Sequence, residues 1–520
     1  LAGAIIFLPT LWYGFVWDDR YAIVDNPSLG SWRYLARHLW GPIDPSTDMY
    51  RPVVGIVLFL ESRLFGLHPW GYHLTSVLLH ALACALVYRL ALQLSQKTSV
   101  ALFAGLLFAA SAVHLEAVAW VSTVAEPLVA SIILAGLCCY LQYRRQRGTR
   151  WLLAICGCLF LGLLTKETAL VLPLLIAAFE LNFGERSFRR LKGDLPLIAG
   201  LSGALLIYVI LRRLAYTKVI QNESHLPFST LVYTWPSLRL GYFRHLLLPV
   251  PLSPFYDSEY VAGANAAFWL PLLGLAAIAA AVYFGSRYLA NGSLIRFCAM
   301  ATAIAMIPVL DLNIFQFREI LHDRFLYVPS VFFALLLAEA LLAGNGAEAM
   351  EPAAGAKGTG RSLYGMLAAC AVLLNIAALL IQSPVWKNDR SLFAYALRIA
   401  PNNPRPAFTL ALDCLDRGDL SGAEALLQHV VRLVPAPRAL LLLGQTRLRM
   451  GQAAAAEQPL RAAIAVAPER PGQHLALGEC LQALGRGKEA IAEFNAEMTT
   501  GPEYREAARQ KILQLQTNKP

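Results

Sequence analysis

Charge is what this sequence has least of. Of its 520 residues, 15% are Asp, Glu, Lys or Arg, against about 25% in an ordinary soluble domain. Hydrophobic residues make up 57%, and the mean hydropathy is +0.51. A chain this poor in charge cannot clothe itself in a soluble surface, so we expect a polytopic membrane protein. A disulfide framework is missing too. Seven of the nine cysteines (Cys84, Cys138, Cys139, Cys156, Cys158, Cys298, Cys370) lie in apolar stretches, where a thiol behaves as a small hydrophobe. Cys414 and Cys480 have no recognisable pairing distance, and Cys156 and Cys158 are too close and too deep in a helix for a metal site. No Walker loop, GxGxxG loop, GxSxG elbow or cysteine–histidine zinc pattern occurs, which argues against a nucleotide-driven pump. The first apolar stretch, Leu1 to Trp17, has no basic n-region and no small-residue cleavage site, and reads as a trimmed transmembrane helix. The net charge of +10 is no nucleic-acid signal, because much of the excess sits in short loops between apolar stretches.

What is present is a series of apolar stretches at 1–17, 69–92, 99–114, 127–143, 151–165, 168–183, 195–212, 266–286, 294–310, 324–343 and 362–382. Several are near the lower limit of about 17 residues for a span. Lys and Arg set the orientation. The loop 144–150 holds four arginines and no acid, and the loop 184–194 holds Arg186, Arg189, Arg190 and Lys192. With Lys97, Arg287, Arg296, Lys357 and Arg361, these fall on one side if about eleven stretches cross, so that side is cytoplasmic. The C-terminal part is then outside. Segment 228–250 reads as partly buried or surface-lying on the outer face, and 344–360 as a flexible cytoplasmic loop.

After residue 383 the pattern becomes amphipathic and soluble. Prolines at 401, 435, 468 and 502 are spaced 34, 33 and 34 apart, and Gly418, Gly451 and Gly485 are spaced 33 and 34 apart. A 34-residue helix-turn-helix unit with a closing proline is the tetratricopeptide repeat. We expect about three repeats and a final helix over 384–520, with Gly444 and Gly478 allowing close packing inside a pair.

Polar clusters interrupt the apolar stretches, all on the predicted outer side. Asp18-Asp19 follows the first stretch, and adjacent carboxylates raise one pKa, as suits a general base. A solvated loop start is the plainer alternative. The outer loop 18–68 carries Trp32, Trp40 and an amphipathic segment opened by Tyr50-Arg51-Pro52. Arg51 either pairs with the two aspartates, holds a phosphate, or snorkels at the interface. His114 and Glu116 are not spaced for zinc, and Glu116 is either a pocket acid or half of a buried Glu–Arg pair. Lys166 and Glu167 either neutralise each other or leave Lys166 to hold a lipid-linked phosphate. Arg212, Arg213 and Lys218 lie on the side where cations are uncommon, which fits an anionic head group or snorkelling. His322, Asp323, Arg324 and Tyr327 enter a span from outside, and the spacing of Arg324 and Tyr327 predicts that both face one groove.

The ordered set FVWDDRYAIVDNP (15–27), YRPV (50–53), GLHPWGYHLTSVLLHAL (66–82), VHLEAVAWV (113–121), LTKETALVLPLL (164–175) and HDRFLYVPS (322–330) resembles the transmembrane and tetratricopeptide-repeat O-mannosyltransferases, within the GT-C glycosyltransferases. The resemblance spans about residues 1–516 and suggests a bacterial relative. It implies an all-α fold: a GT-C-like transmembrane domain over 1–383 and repeats over 384–520. It also implies a sugar (mannose by the family's name) carried on a polyprenyl or dolichyl phosphate and transferred with inversion. The acceptor would be a protein Ser or Thr hydroxyl, presented by the repeats. Carried onto this chain, Asp18 or Asp19 would be the base. Arg51, Lys166 or Arg324 would stabilise the departing phosphate, and Glu116 would line the pocket. One departure stands out. Where the family often has Gly-Arg-Ala-Asp, this chain has Ser122-Thr123-Val124-Ala125-Glu126, keeping an acid at Glu126 but no arginine.

Competing expectations are transfer to a lipid or glycan, a non-catalytic scaffold whose repeats recruit partners, and a secondary transporter. A transporter would favour ionisable groups near mid-membrane, whereas here they cluster at span ends. No fixed metal site is expected, though a labile divalent cation beside Asp18-Asp19 stays open. The outer face is the periplasm in a bacterium and the endoplasmic reticulum lumen in a eukaryote. Asn222-Glu223-Ser224 is a glycosylation tripeptide on that face.

Overall fold

The structure is a computed structural model that describes residues 2–42, 49–184, 188–215, 226–289, 291–314, 319–342 and 359–517. Lys218, the Asn222 tripeptide, Arg186, the side chains of Arg189, Arg190 and Lys192, and nearly all of 344–360 lie outside the described residues. The described residues form helices joined by loops, with no strand among them. Contacts divide it into two compact units. One is Leu1–Pro254 with Ser258–Asn388, and the other is Phe255–Asp257 with Asp389–Pro520.

Each of the eleven apolar stretches in the first unit is helical, but they differ in length. Among the described residues, six helices are long and apolar enough to cross a membrane: Pro69–Ser95, Val121–Gln146, Gly193–Ala215, Ala266–Tyr288, Asp323–Leu342 and Leu363–Lys387. A bent pair, Thr98–Ala110 and Ala112–Ala119, is long and apolar enough only when its two helices are taken together across a 49° break, as in a broken span or a re-entrant loop. Ala2–Trp12, Thr149–Thr165 and Gly292–Ala305 are shorter, and Val171–Phe183 has 13 residues. The shortening has a cause. Helices stop at Ser111, Trp120 and Lys166, and one starts after His322, inside or beside the polar clusters. A helix break frees backbone groups that lipid cannot satisfy, so it is tolerated only where protein surrounds it. The segment 228–250 contains a helix, Phe228–Leu247, outside the six. Its Thr234, Leu238, Tyr242, His245 and Leu246 are buried, about one per turn, along a single face.

Burial ranks the spans. Val121–Gln146 is 72% buried, Ala266–Tyr288 is 0% buried, and Gly193–Ala215 and Leu363–Lys387 are each 17% buried. The last three are peripheral, and their outward Leu and Ile side chains suit lipid. The 18–68 loop is not loose. Ser31 caps the helix Trp32–Trp40 by accepting from the Tyr34 amide at 3.1 Å. The helix Pro52–Phe65 buries Val54, Leu58 and Phe59 against Ile23, Leu29, Tyr34, Tyr72, Val121 and Val124. That cluster pins the Asp18-Asp19 turn to the start of the helix at Val121.

The second unit is a run of helices. Pro404–Asp416 and Leu420–Leu433, then Pro437–Arg449 and Ala453–Val466, then Gln473–Ala483 and Gly487–Thr500, are followed by Arg505–Thr517. Gly418, Gly451 and Gly485 turn the chain inside the three pairs at φ of 77°, 75° and 76°, where a side chain would be strained. Gly444 and Gly478 have a different reason. A Cβ there would come within 2.4 Å of Leu460 and of Phe494 respectively.

Candidate active site

The acidic turn is held from three directions. Trp17 takes a left-handed φ of 54° and stacks on Trp120 with ring centroids 4.4 Å apart and planes 5° apart. Asp19 then points inward and is fully buried. Its Oδ1 accepts from the Ser122 amide at 2.8 Å and the Ser122 hydroxyl at 2.5 Å, and its Oδ2 accepts from the Val16 amide at 3.1 Å. Burial raises its pKa to about 7; the Ser122 and Val16 hydrogen bonds oppose the rise, and the Asp18 charge adds slightly to it. Asp18 is half-buried, the more accessible of the two.

Two ion pairs gather cations near this turn, and a third, Arg51–Glu167, brings its cation within electrostatic reach of Lys166. The Arg324 guanidinium donates to Glu116 Oε1, and the Arg324 backbone amide donates to Oε2 at 3.0 Å. The same guanidinium lies 5.2 Å from the Trp120 ring centroid and 4.9 Å from that of Phe325. The Lys166 ammonium donates to Glu126 and sits 4.7 Å from the Phe325 centroid. Arg51 donates to Glu167 Oε2 through Nη2 at 3.0 Å and Nε at 3.3 Å. Burial works to raise the Glu167 pKa, but the Arg51 charge and hydrogen bonds hold it below the usual range. Trp120 and Phe325 therefore tie the acidic turn and two of the three pairs into one region. Lys166 and Glu167 each found a distant partner rather than each other. Arg51 pairs with Glu167, not with the aspartates.

The remaining expected residues divide. His322 Nδ1 is 3.7 Å from Glu116 Oε1, and Asp323 Oδ1 is 2.7 Å from His245 Nδ1. Arg212 is half-buried and acts electrostatically on Glu167, while Arg213 is exposed. His114 and Tyr327 face elsewhere. His114 Nε2 is 2.8 Å from Ser330 Oγ, Tyr327 Oη is 2.7 Å from His80 Nδ1, and the His114 and Tyr327 rings pack with centroids 4.5 Å apart. Arg324 and Tyr327 thus do not share a groove. Glu116 and Trp120 draw one side chain, and His80 draws the other. Among the described residues, no three His, Cys, Asp or Glu side chains are placed to hold a metal ion.

Sequence reasoning missed Ser122, Trp120, His245 and Glu61. Glu61 had a visible signal, a lone acid on the buried face of Pro52–Phe65. It is 3% exposed, and neither of its oxygens has a hydrogen-bond partner among the described residues. The nearby Thr75 hydroxyl donates instead to Gly71 O at 3.3 Å. Burial pushes the Glu61 pKa up to about 8. A carboxyl with a raised folded-state pKa contributes stability below its unfolded pKa of about 4.3 and loses it as pH rises through the folded value. Glu61→Gln therefore removes an alkaline liability of roughly 3 to 5 kcal/mol at most. Melting curves in detergent at pH 4 and pH 9 should show the variant gaining little at pH 4 and most at pH 9, because the loss accumulates between the unfolded and the folded pKa. Equal curves for both proteins would mean that Glu61 reaches water.

The family described as dolichyl-phosphate-mannose-protein mannosyltransferase matches residues 50–212. The protein O-mannosyl-transferase Tmtc2 of Drosophila melanogaster is 37% identical over 196 residues, covering 35% of this chain and 21% of its own length. A protein O-mannosyl-transferase of Caenorhabditis elegans is 25% identical over 446 residues, covering 83% of this chain and 61% of its own. The protein O-mannosyl-transferase TMTC3 of Mus musculus is 25% identical over 450 residues, covering 77% and 47%. The chain is similar, over part of their length, to protein O-mannosyl-transferases of the TMTC type. It is an integral membrane protein, and it matches from about a fifth to three fifths of the length of these relatives. The family match over 50–212 takes in Arg51, Glu116, Trp120, Glu126, Lys166 and Glu167, and leaves the Asp18-Asp19 turn and Arg324 beyond its ends.

Proposed function

We propose that the protein transfers a mannosyl group from a polyprenyl- or dolichyl-phosphate carrier to a Ser or Thr hydroxyl of a protein, on the periplasmic or luminal face. The observation that carries this is the aromatic bridge. Trp120 stacks on the tryptophan that turns Asp18-Asp19 and also faces the Arg324 guanidinium. An acid and a cation thus flank one surface, as a group transfer needs when a proton is taken at one end and an anion leaves at the other. Asp18 is the base and takes the acceptor hydroxyl's proton. The hydroxyl oxygen bonds the anomeric carbon from the face opposite the phosphate. The bond from that carbon to the phosphate oxygen breaks, its electron pair stays with the phosphate, and the configuration inverts. Arg51, Lys166 and Arg324 stabilise the phosphate as it leaves. Asp19 is a brace, because all three of its hydrogen bonds go to the protein and none of it reaches solvent. The repeating helix pairs of the second unit support a tetratricopeptide-type array that presents the acceptor.

The test is transfer by the purified protein from a panel of radiolabelled polyprenyl-phosphate sugars to Ser/Thr peptides. Label in peptide from the mannosyl donor alone is the expected result. Label only in lipid or glycan would replace the acceptor assignment. No transfer by folded protein from any donor would favour a scaffold.

A further inference from the structure

The cations of this site are not available as they stand. Arg51, Lys166 and Arg324 each face a carboxylate: Glu167, Glu126 and Glu116. The three pairs sum to zero charge, and Asp18-Asp19 adds negative charge beside them. An arriving phosphate therefore meets three cations that are already neutralised, and one carboxylate must give way.

The pairs are unequal. Lys166 and Glu126 have side chains only 9% and 5% exposed, and Arg324 and Glu116 are 17% and 2% exposed. Glu116 is further fixed by the Arg324 amide, and Lys166 and Arg324 both lie against Phe325. Arg51 and Glu167 are 21% and 27% exposed, so both partners can be approached from solvent. Glu167 takes both Arg51 hydrogen bonds on a single oxygen, Oε2, which is a looser arrangement than a two-oxygen fork. Its backbone is set by the short turn Glu167–Leu170 that follows the break at Lys166. Arg212 is a second cation within its electrostatic reach.

We infer that Arg51–Glu167 is an exchangeable pair. The donor's phosphate displaces Glu167 from the Arg51 guanidinium, and the freed carboxylate turns toward Arg212. Glu167 is then a specificity-determining residue. It keeps Arg51 neutral in the empty site and admits only anions that can displace a carboxylate from Arg51, as the singly charged phosphodiester of the donor does by offering two oxygens to the guanidinium fork. When the phosphate product departs, Glu167 recaptures Arg51 and speeds its release. This deepens the transfer reading and rests on it.

The experiment measures equilibrium binding of polyprenyl phosphate, without sugar, to the full chain in lipid nanodiscs. Wild type, Glu167→Gln, Glu167→Ala, Arg51→Gln and the Arg51→Gln/Glu167→Gln double variant are compared, each first shown to be folded by its melt. Both Glu167 variants should bind about 3- to 10-fold tighter, because a competing charge is gone. Arg51→Gln should bind about 10-fold or more weakly. The double variant should match Arg51→Gln, because the gain acts through Arg51. Unchanged or weaker binding by both Glu167 variants, with Arg51→Gln weakened, would make Glu167 a plain anchor for Arg51 and overturn the exchange. Wild type that neither binds polyprenyl phosphate nor transfers from any polyprenyl-phosphate sugar would overturn the transfer reading itself. Wild type that transfers while the Glu167 variants bind no tighter overturns only the exchange.

Discussion

Asp18→Asn is expected to lower transfer about 10²- to 10⁴-fold, the range a positioned general base contributes, with melting temperature and elution unchanged. The side chain is half-buried, at the edge of the turn, and its isosteric amide removes only the ability to take a proton. Asp19→Asn is expected to behave differently. Its carboxylate accepts from two backbone amides and a hydroxyl. An amide has one acceptor oxygen, so its NH2 must face a donor at Val16 or Ser122. One buried donor left unmet costs about 1 to 3 kcal/mol. That loss appears as a lower melting temperature and a displaced turn, with activity falling as a consequence. The pKa of about 7 at Asp19 adds a second readout. Its brace is fully ionised only above that value, so the wild-type rate should still be rising between pH 6 and pH 8. If Asp19→Asn abolishes transfer at an unchanged melting temperature while Asp18→Asn retains it, the two roles must be exchanged.

The helices were legible because a membrane imposes a simple code. Each apolar stretch became a helix, since lipid leaves the backbone no other way to satisfy itself. The helix pairs of the second unit were equally visible, because a turn with positive φ demands glycine at Gly418, Gly451 and Gly485, and a close approach demands it at Gly444 and Gly478. Span length was less legible. A polar residue inside an apolar stretch breaks the helix, as at Ser111 within 99–114, and hydropathy averages over the break. Partner choice was not legible at all. Arg51 and Glu167 are 116 positions apart, Glu116 and Arg324 208, and Glu126 and Lys166 40. Adjacent charges such as Lys166 and Glu167 invite a local reading, but the helix ends at Thr165 and Lys166 is extended, so the two side chains are aimed at different partners. Ser122 was hidden for another reason. A serine that braces a buried carboxylate looks the same in sequence as one that faces water.

Arg324→Met is expected to be the most damaging single change to stability. Glu116 is 2% exposed, and the Arg324 guanidinium is its closest charged partner. Removing one side of a buried ion pair leaves an uncompensated charge and costs about 3 to 5 kcal/mol. Two things soften the loss. The backbone amide of residue 324 still donates to Oε2, and Lys166 is relieved of a like charge nearby. Neither replaces the guanidinium at Oε1, so the net effect stays large. The informative variant is the double one, Glu116→Leu/Arg324→Met. Replacing a whole buried pair by apolar side chains of similar volume is often neutral or stabilising, so the double variant should recover most of the lost melting temperature. It should not recover transfer, because the cation over Trp120 is gone. Melting curves and the transfer assay on the two proteins separate the alternatives. A double variant that regains both fold and turnover would reduce Glu116–Arg324 to a structural pair. The phosphate would then be stabilised by Arg51 and Lys166 alone.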